Sequence, residues 1–436
     1  MIKQIFFFIM MGVTFATFFY TTRRIWLLFG FTKSFPIGNW GKRFILMMKV
    51  AIGQTKIFRK PVTGFMHALV FWGFCLILFG SVEMVIDGFT RGERRFSALG
   101  ALYNALIALG DVFAAIIAVA ILFFLIRRLF HGVKRFEGIE MKKKSHLDAN
   151  IALSIIFILM ISLLGMNAFY IALNPVDYAG VFPVSVHIAS LFAGMSPDGL
   201  NTGHEINWWL HIGMICIFAN ILPYSKHFHV FMSIPNVFLS RLEPLGKLPT
   251  MARITTEVKM MMNPDTAFAE APAGAENAVE RFGVKDVEDV HWKNYLDSLS
   301  CTECGRCTAS CPANTTGKKL SPRKIFMDLR ARMKEKGSGM VKNGKDFIDN
   351  KSLLRDFITE EELWACTTCN ACAKECPVNI NHPTFIVDMR RYLVMEEGSA
   401  PAGIKSMLTN IENNGAPWQF SPEDRMKWAE ELYINN

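Results

Sequence analysis

The chain has 436 residues, of which 51% are hydrophobic, and its mean hydropathy is +0.25. These values exclude an ordinary soluble enzyme and a disordered chain. Residues 1–240 carry 21 basic and 10 acidic side chains and account for the net charge of +9, since residues 241–436 carry 26 and 28. The basic residues lie between apolar stretches, which indicates membrane topology and argues against a nucleic-acid partner.

Five apolar stretches are long enough, or nearly so, to cross a bilayer, which takes about 20 residues. They are residues 4–22, 62–86, 101–126, 150–173 and 206–232. The first is followed by Arg23 and Arg24 rather than by a small-residue cleavage site, so we interpret it as a retained helix and not as a signal peptide. Residues 1–240 are therefore predicted to form an all-α membrane bundle of about five transmembrane helices.

The loops between these stretches predict the orientation. Residues 21–60 contain nine basic and no acidic side chains, residues 127–148 contain seven and three, and residues 174–205 contain no Lys or Arg. The positive-inside rule then places the N-terminus outside and the C-terminal half in the cytoplasm, at the inner membrane of the cell. Segment 40–60 alternates basic and apolar residues and is expected to lie on the inner membrane surface.

Six histidines lie in or near the predicted spans. They are His67, His187, His204, His211, His227 and His229. An ionisable group in a membrane indicates a functional site, although any single histidine also fits a hydrogen-bonded packing residue. Paired imidazoles on facing helices are typical of a haem site.

Depth restricts which histidines can pair. With a helical rise of about 1.5 Å per residue, His67 lies about 30 Å from the outer end of its span, close in depth to His227 and His229. His211 lies only about 9 Å below the outer end and cannot share a haem with His67. An outer haem would need His187 or His204 as the second ligand.

The last span contains Trp208-Trp209-Leu210-His211 and Pro223-Tyr224-Ser225-Lys226-His227-Phe228-His229. With the five-span layout, it resembles the cytochrome b family of the nitrate reductase gamma subunit and the heterodisulfide reductase membrane subunit. The resemblance implies that His229, rather than His227, is the partner of His67 on a haem b. It also implies a second histidine on helix two, where this chain has Ile77, so a second haem is left open.

Eight of the ten cysteines form two motifs. Residues 301–312 and 366–377 both have the pattern C-x2-C-x2-C-x3-C-P. In two-cluster ferredoxins the first three cysteines of such a run hold one 4Fe-4S cluster and the fourth binds the other, whereas zinc sites use two C-x2-C pairs. One predicted ligand set is Cys301, Cys304, Cys307 and Cys376. The other is Cys366, Cys369, Cys372 and Cys311.

The 54 residues between Cys311 and Cys366 predict helices. One is expected from Arg323 to Lys336 after Ser321-Pro322, followed by a glycine-rich turn at 337–344 and a short helix around Glu360–Trp364. The spaced motifs, with Gly-Lys-Lys-Leu-Ser-Pro-Arg at 317–323, resemble the C-type iron–sulfur component of heterodisulfide reductase and, more loosely, the helical iron–sulfur domain of succinate dehydrogenase. The resemblance implies a mainly α-helical dicluster ferredoxin domain over residues 291–400. Its basic residues Lys318, Lys319, Arg323 and Lys324 either steer an acidic partner or form a solvated helix face.

Two further segments complete the predicted organisation. Residues 241–290 are a proline-containing linker with an Ala/Glu-rich stretch at 267–280, part of which is a candidate helical hairpin. Residues 401–436 form a tail whose Trp418 and Trp428 regions resemble the segment that precedes a Cys-Cys-Gly domain in fused relatives. Because the sequence contains no cysteine after Cys376, the resemblance implies that a separate subunit provides that domain.

These features together predict an oxidoreductase subunit that is catalytic only with its partners. Electrons would pass between menaquinone or another quinone, haem b, two 4Fe-4S clusters and a cytoplasmic Cys-Cys-Gly-type or flavoprotein partner. Glu83 and Asp111, near the outer ends of spans, either serve quinone protonation or are interfacial polar groups. The alternatives are a haem-free membrane anchor or scaffold and a maturation factor for a redox enzyme.

Overall fold

Five long helices form the N-terminal half of the protein. The computed structural model describes residues 2–90, 92, 94–263 and 281–433, and no β-strand occurs among them. The long helices are Ile2–Phe29 (α1), Pro61–Thr90 (α3), Ala101–Phe130 (α4), Lys143–Leu173 (α5) and Pro197–Ile221 (α7). Each contains a stretch apolar enough to cross a membrane, which confirms the predicted all-α bundle.

The shorter helices of this half are Trp40–Met47 (α2), Ser185–Ala189 (α6) and His229–Phe238 (α8). The polar connections before α5 and before α7 are helical beyond the predicted apolar limits. Helix α7 begins nine residues before the predicted span because the Ser196 hydroxyl accepts from the Gly199 N–H (3.2 Å) and Pro197 occupies the first turn. Trp208 therefore lies inside the helix, where its ring packs against Phe7.

The predicted last span, 206–232, is wrong at its C-terminal end. The helix stops at Ile221, two 3-10 turns follow, and a separate helix starts at His229. Pro223 cannot donate a backbone hydrogen bond, and the Ser225 hydroxyl accepts from the His227 N–H at 3.0 Å. The chain is thus broken at Pro223, and His229 begins a new helix.

Segment 40–60 forms α2, a π-helical turn at Met48–Ile52 and a loop. Trp40, Phe44 and Ile45 are exposed on α2, which leaves an apolar face available for the membrane surface. One basic residue of the segment, Arg43, is bound within the protein. Arg43 is 5% exposed and donates to the carbonyl of Ser240 (2.7 Å) beyond the end of α8.

The C-terminal half is a second helical unit. Its helices are Trp292–Ser300 (α10), Arg306–Ala309 (α11), Pro312–Thr315 (α12), Pro322–Asn343 (α13), Glu360–Trp364 (α14), Ala371–Glu375 (α15) and His382–Arg391 (α16). Helices Ala402–Asn414 (α17) and Lys427–Tyr433 (α18) lie in the predicted tail, and Ala252–Met262 (α9) lies in the predicted linker.

The predicted linker, 241–290, extends too far towards the C-terminus. Val284, Val287 and Val290 are at most 2% exposed and belong to the same core as the helices of the second half. Asp286 accepts from Arg332 and Lys336 of α13 at 2.7 and 2.9 Å, which fixes this segment to that helix. The candidate hairpin at 267–280 lies outside the described residues.

Helix α13 is continuous through the stretch predicted as a glycine-rich turn. A Cβ atom on Gly337 would lie 2.5 Å from the side chain of Leu28 in α1, and one on Gly339 would lie 2.0 Å from Phe347. These glycines therefore allow close packing inside the helix rather than a turn. The helix ends before Gly344, whose φ of 92° is accessible mainly to glycine.

The two halves meet at one end of the bundle. Leu28 packs on Gly337, whereas Lys3, at the other end of α1, pairs with Glu205 at 2.6 Å near the start of α7. The N-terminus and the cysteine-rich half thus lie at opposite ends of α1.

Candidate metal centres

The two cysteine motifs share one backbone conformation. Glu303 and Thr368, each two residues after the first cysteine, both have a φ of 55°. Gly305 and Asn370, each directly after the second cysteine, have φ values of 72° and 61°. The same pair of left-handed residues therefore bends both loops, and non-glycine residues adopt it at three of the four positions.

Each motif delivers its last cysteine to the other motif. The Cys376 thiol interacts electrostatically with those of Cys301, Cys304 and Cys307. A small cavity is lined by the remaining set, Cys311, Cys366, Cys369 and Cys372. The structure places the last cysteine of each motif near the other motif, which defines two crossed groups, here called the first set (Cys301, Cys304, Cys307, Cys376) and the second set (Cys311, Cys366, Cys369, Cys372). Among the described residues these sulfurs do not form a ready-made metal site.

Both sets fit a cationic iron–sulfur centre. Burial raises the pKa of the Cys301 thiol to about 11 and that of Cys376 to about 12, so these groups need a nearby cation to ionise. Backbone N–H groups also face two of the sulfurs, from Thr368 to Cys366 (3.4 Å) and from Ile380 to Cys376 (3.3 Å). Four thiols with amide donors are the ligand environment of a 4Fe-4S cluster.

Basic residues surround the first set. Lys56, in the loop before α3, donates to the carbonyl of Cys376 at 3.2 Å. Arg306 is 8% exposed and donates to the carbonyl of Lys56 at 2.9 Å, and Arg330 donates to that of Cys301 at 3.1 Å. The membrane half therefore contributes directly to the surroundings of this set.

The basic residues at 318–324 do not form one solvated face. Arg323 is 1% exposed and pairs with Glu140, from the loop between α4 and α5, at 2.7 Å. Lys324 pairs with Asp328 and Glu362 at 2.7 and 2.9 Å. Only the side chains at the start of this segment, such as Lys319, stay largely exposed.

His67 and His229 lie together at the end of the bundle that meets the cysteine-rich half. His67 is close enough to His229 and Arg306 for their charges to interact, and its buried Nδ1 has no hydrogen-bond partner among the described residues. The Nδ1 of His229 lies 3.1 Å from the carbonyl of Lys226. Because a carbonyl only accepts, Nδ1 carries the proton and Nε2 keeps its lone pair for a metal.

His227 has different surroundings. Its Nδ1 lies 3.0 Å from the Ser225 hydroxyl and 3.9 Å from the Asp148 carboxylate. Burial lowers the pKa of His227 to about 3, so the ring is neutral at pH 7. These polar partners already account for His227 as a residue that stabilises the break after α7.

His211 lies in the outer half of the bundle, away from His67. It is 2% exposed, and its Nδ1 donates to the carbonyl of Leu159 at 2.9 Å. The ring borders a cavity of about 260 Å³ among α3, α4, α5 and α7. The polar side chains that line the cavity include Ser81, Glu83, Arg94, Asp111, Asn167 and His204.

The outer haem pairings expected for His211 are not formed by the described residues. His187 is exposed on α6 and does not line the cavity. His204 does line it, but lies two turns along the same helix, about 10 Å away by helical rise, so the two rings cannot face each other across one iron. Ile77 occupies the facing wall.

Glu83 and Asp111 are both buried rather than interfacial, at 3% and 2% exposed. The Glu83 carboxylate accepts from the Phe96 N–H (2.8 Å) and from the Tyr103 hydroxyl (3.2 Å) at the edge of the cavity. Asp111 accepts from the N–H groups of Val184 and Ser185 at 2.8 and 2.9 Å, which holds α6 against the bundle. Asp111 therefore has a structural role although it lines the cavity, and Glu83 is a further buried carboxylate of the cavity.

Two residues of the cavity, Arg94 and Asn167, were not identified from the sequence. Arg94 donates to Asn167 at 2.9 Å, and its guanidinium lies 4.7 Å from the centre of the Tyr170 ring. In the sequence Arg94 belongs to a short charged loop, and Asn167 is one polar residue in an apolar helix. An uncharged polar residue inside a span was the available signal.

Comparisons with known proteins agree with the iron–sulfur assignment. Residues 295–380 match the family model of the 4Fe-4S dicluster domain. The chain is 30% identical over 408 residues to the probable iron–sulfur-binding oxidoreductase FadF of Bacillus subtilis, which is 87% of this chain and 54% of FadF. It is 30% identical over 411 residues to the EtfAB:quinone oxidoreductase of Syntrophomonas wolfei, with 87% and 53% covered.

A shorter match concerns the cysteine-rich half. It is 37% identical over 102 residues to the C-type component of the ferredoxin/F(420)H(2)-dependent CoB-CoM heterodisulfide reductase of Methanosarcina acetivorans, covering 23% of this chain and 49% of that component. No solved structure matches. The chain spans about half the length of the curated relatives it matches. Its homologues are therefore iron–sulfur oxidoreductases and components of heterodisulfide reductases, and the chain carries a 4Fe-4S dicluster domain behind five candidate membrane helices.

Proposed function

We propose that this protein passes electrons between a membrane quinone and a cytoplasmic redox partner, using two 4Fe-4S clusters and one haem b. The observation that carries the proposal is the contact between the inner histidines and the first set. Arg306, directly before Cys307, interacts with His67 and donates to the carbonyls of Lys56 and Ile57 at 2.9 and 3.4 Å. The candidate haem ligands and the candidate cluster ligands are thus part of one packed region.

The first set holds the cluster nearer the membrane, and the second set holds the other. His67 and His229 hold the haem, with the Lys226 carbonyl orienting the His229 ring and exposing its Nε2. A haem bound there supplies a one-electron carrier between the bundle and the first set. His211, which faces no second imidazole among the described residues, is assigned to the outer cavity rather than to a haem.

The outer cavity suits a quinone headgroup. Quinol oxidation releases two electrons and two protons, so the site needs a proton acceptor as well as carriers of single electrons. The Glu83 carboxylate borders the cavity, and the His211 Nε2 is available to a quinol hydroxyl because Nδ1 is held by the Leu159 carbonyl. Quinone reduction uses the same groups in reverse.

The cytoplasmic partner is a flavoprotein or a Cys-Cys-Gly-type subunit. One relative is an EtfAB:quinone oxidoreductase, and another is a component of a heterodisulfide reductase. Cys369 of the second set is the exposed cysteine of the two sets, which favours this cluster as the point of exchange with a soluble partner. The basic loops of the membrane half support a cytoplasmic position for the cysteine-rich half, at the inner membrane.

Purified protein in mild detergent tests the proposal. Visible spectra and a pyridine haemochrome assay are expected to show one haem b per chain, and a menaquinol analogue is expected to reduce the haem and the clusters. Glu83→Gln is expected to slow that reduction without changing haem, iron or sulfide content. Asp177→Asn, which removes an exposed carboxylate of the loop after α5 that does not line the cavity, is the control.

Two results would contradict the proposal. Iron and sulfide without haem, together with clusters that quinol does not reduce, would favour a membrane anchor or scaffold. Clusters that exchange into a separate apoprotein, again without a quinol response, would favour a maturation factor.

A further inference from the structure

The loop between α4 and α5, residues 131–142, reaches from the membrane half onto the cysteine-rich half. Glu140 accepts from Ser321 at 2.6 Å and pairs with Arg323 at 2.7 Å. Arg323 also donates to the carbonyls of Arg135 (2.7 Å) and Glu137 (2.8 Å). One buried arginine therefore fixes three points of the loop to the start of α13.

The loop lies directly on the first set. A Cβ atom on Gly305, the residue after Cys304, would lie 2.3 Å from the carbonyl oxygen of Arg135. The absence of a side chain at Gly305 is thus what allows the loop to approach the cysteines. This contact places the backbone of Arg135 next to the first motif.

The Arg135 side chain remains without an acidic neighbour among the groups that act on its charge. These groups are the Cys304 thiol, Arg127 and Arg306. Its Nε is buried and has no hydrogen-bond partner among the described residues. The guanidinium lies 5.3 Å from the centre of the Phe136 ring, which limits its freedom to move away from Cys304.

We propose that Arg135 raises the reduction potential of the cluster held by the first set. The inference rests on the proposed function, since it requires this set to hold a cluster. Reduction adds one electron to the cluster and breaks no bond, so the negative charge grows without a compensating proton. A fixed guanidinium in a poorly solvated site stabilises that charge.

The second set has an arginine of its own. Arg390 of α16 donates to the carbonyls of Leu363 and Cys366, at 3.0 Å through Nε and at 2.5 Å through Nη2 respectively. It comes from the cysteine-rich half, whereas Arg135 comes from the membrane half. The membrane half therefore raises the reduction potential of the cluster held by the first set alone. This difference favours the position of the electron on the cluster next to His67 and His229.

Redox titration of the full-length protein, monitored by low-temperature electron paramagnetic resonance, tests this assignment. Dithionite and mediator dyes set the potential, so neither quinone nor partner is needed. Arg135→Gln is expected to shift the midpoint of the first cluster to a more negative potential and to leave the second unchanged. Arg390→Gln is expected to shift the midpoint of the second cluster to a more negative potential and to leave the first unchanged.

The matched control is Lys134→Gln. It removes the same charge one residue away, from an exposed side chain of the same turn, and is expected to shift neither midpoint. An unchanged first midpoint in Arg135→Gln, or an equal shift of both clusters, would overturn the assignment.

A second variant covers the case in which Arg135→Gln loses the cluster. Arg135→His carries a charge that depends on pH, so the first midpoint is expected to rise between pH 7.5 and 5.5 more steeply than in the wild type. A profile parallel to that of the wild type would overturn the assignment. Failure of the proposed function has a different signature: clusters that titrate with dithionite and do not respond to quinol.

Discussion

Glu140 and Arg323 form an ion pair with an N–O distance of 2.7 Å, and their side chains are only 4% and 1% exposed. The carboxylate belongs to a loop between two membrane helices, and the guanidinium to the first turn of α13 in the cysteine-rich half. A buried pair of this kind contributes mainly by its geometry, since removing one partner leaves an uncompensated charge. The pair thus sets how the first cysteine set faces the bundle.

Glu140→Ala is expected to destabilise the assembled protein by about 3–5 kcal/mol because Arg323 stays buried without its partner. The readout is the temperature at which the visible absorption of the clusters is lost in detergent. Glu361→Ala removes the exposed pair with Lys319, at 58% and 66% exposed, and is expected to cost less than about 1 kcal/mol. Equal effects of the two variants would show that the pair does not join the halves.

The crossed sulfur sets predict which substitutions affect the same cluster. Cys376→Ser, in the second motif, is expected to alter the same paramagnetic signal as Cys301→Ser in the first motif. Cys311→Ser is expected to alter the other signal, together with Cys366→Ser. If the signals instead group by motif, the crossed ligand assignment is wrong.

His67, His229 and His227 have different hydrogen-bonding surroundings, and this difference predicts the haem content of their variants. His67→Ala and His229→Ala are expected to lose the haem, because each removes one imidazole of the pair. His227→Ala is expected to keep the haem, since its ring is bound to Ser225 and lies near Asp148. The pyridine haemochrome assay measures the outcome. If His227→Ala lost the haem and His229→Ala kept it, His227 rather than His229 would be the haem ligand.

His382 gives the cysteine-rich half a dependence on pH. It is 1% exposed and packs edge-on against Phe326, and burial lowers its pKa to about 3. Below the unfolded pKa of about 6.5, the unfolded chain binds the proton and the folded chain does not. Stability is therefore expected to fall by up to about 1.4 kcal/mol per pH unit as the pH drops below 6.5.

His382→Gln is expected to remove this dependence. The thermal midpoint of cluster loss, compared at pH 7.5 and 5.5, measures it. His131→Gln, at an exposed position, serves as the control and is expected to keep the wild-type slope. A slope that is equal in His382→Gln and the wild type would assign the acid sensitivity to the clusters themselves.

The elements that sequence analysis predicted well are those with a local signal. Long apolar runs form helices in a membrane because no other partner satisfies their backbone, and the dicluster motif has a spacing that few other sites share. The errors lie where a local signal was outweighed by packing. Gly337 and Gly339 predicted a turn, yet they remain helical because Leu28 and Phe347 fill the space that their missing side chains leave.

Charge was the least reliable signal for individual residues. Arg323 and Lys56 were interpreted as parts of a helix face and of a membrane-surface segment, but each binds a group from the opposite half of the protein. Burial of an arginine depends on whether a carboxylate from a distant segment reaches it. The sequence around the arginine does not show whether such a carboxylate is present.

The sequence by itself determined the five candidate spans, the dicluster motif and the helical character of both halves, because hydrophobic length and ligand spacing are local properties. The tertiary structure decided that His211, Glu83 and Arg94 border one cavity, and that Glu140 pairs with Arg323. It also decided that Arg135 is placed beside Cys304. These relationships depend on contacts between segments that are far apart in the chain, and such contacts form only when the two halves pack against each other.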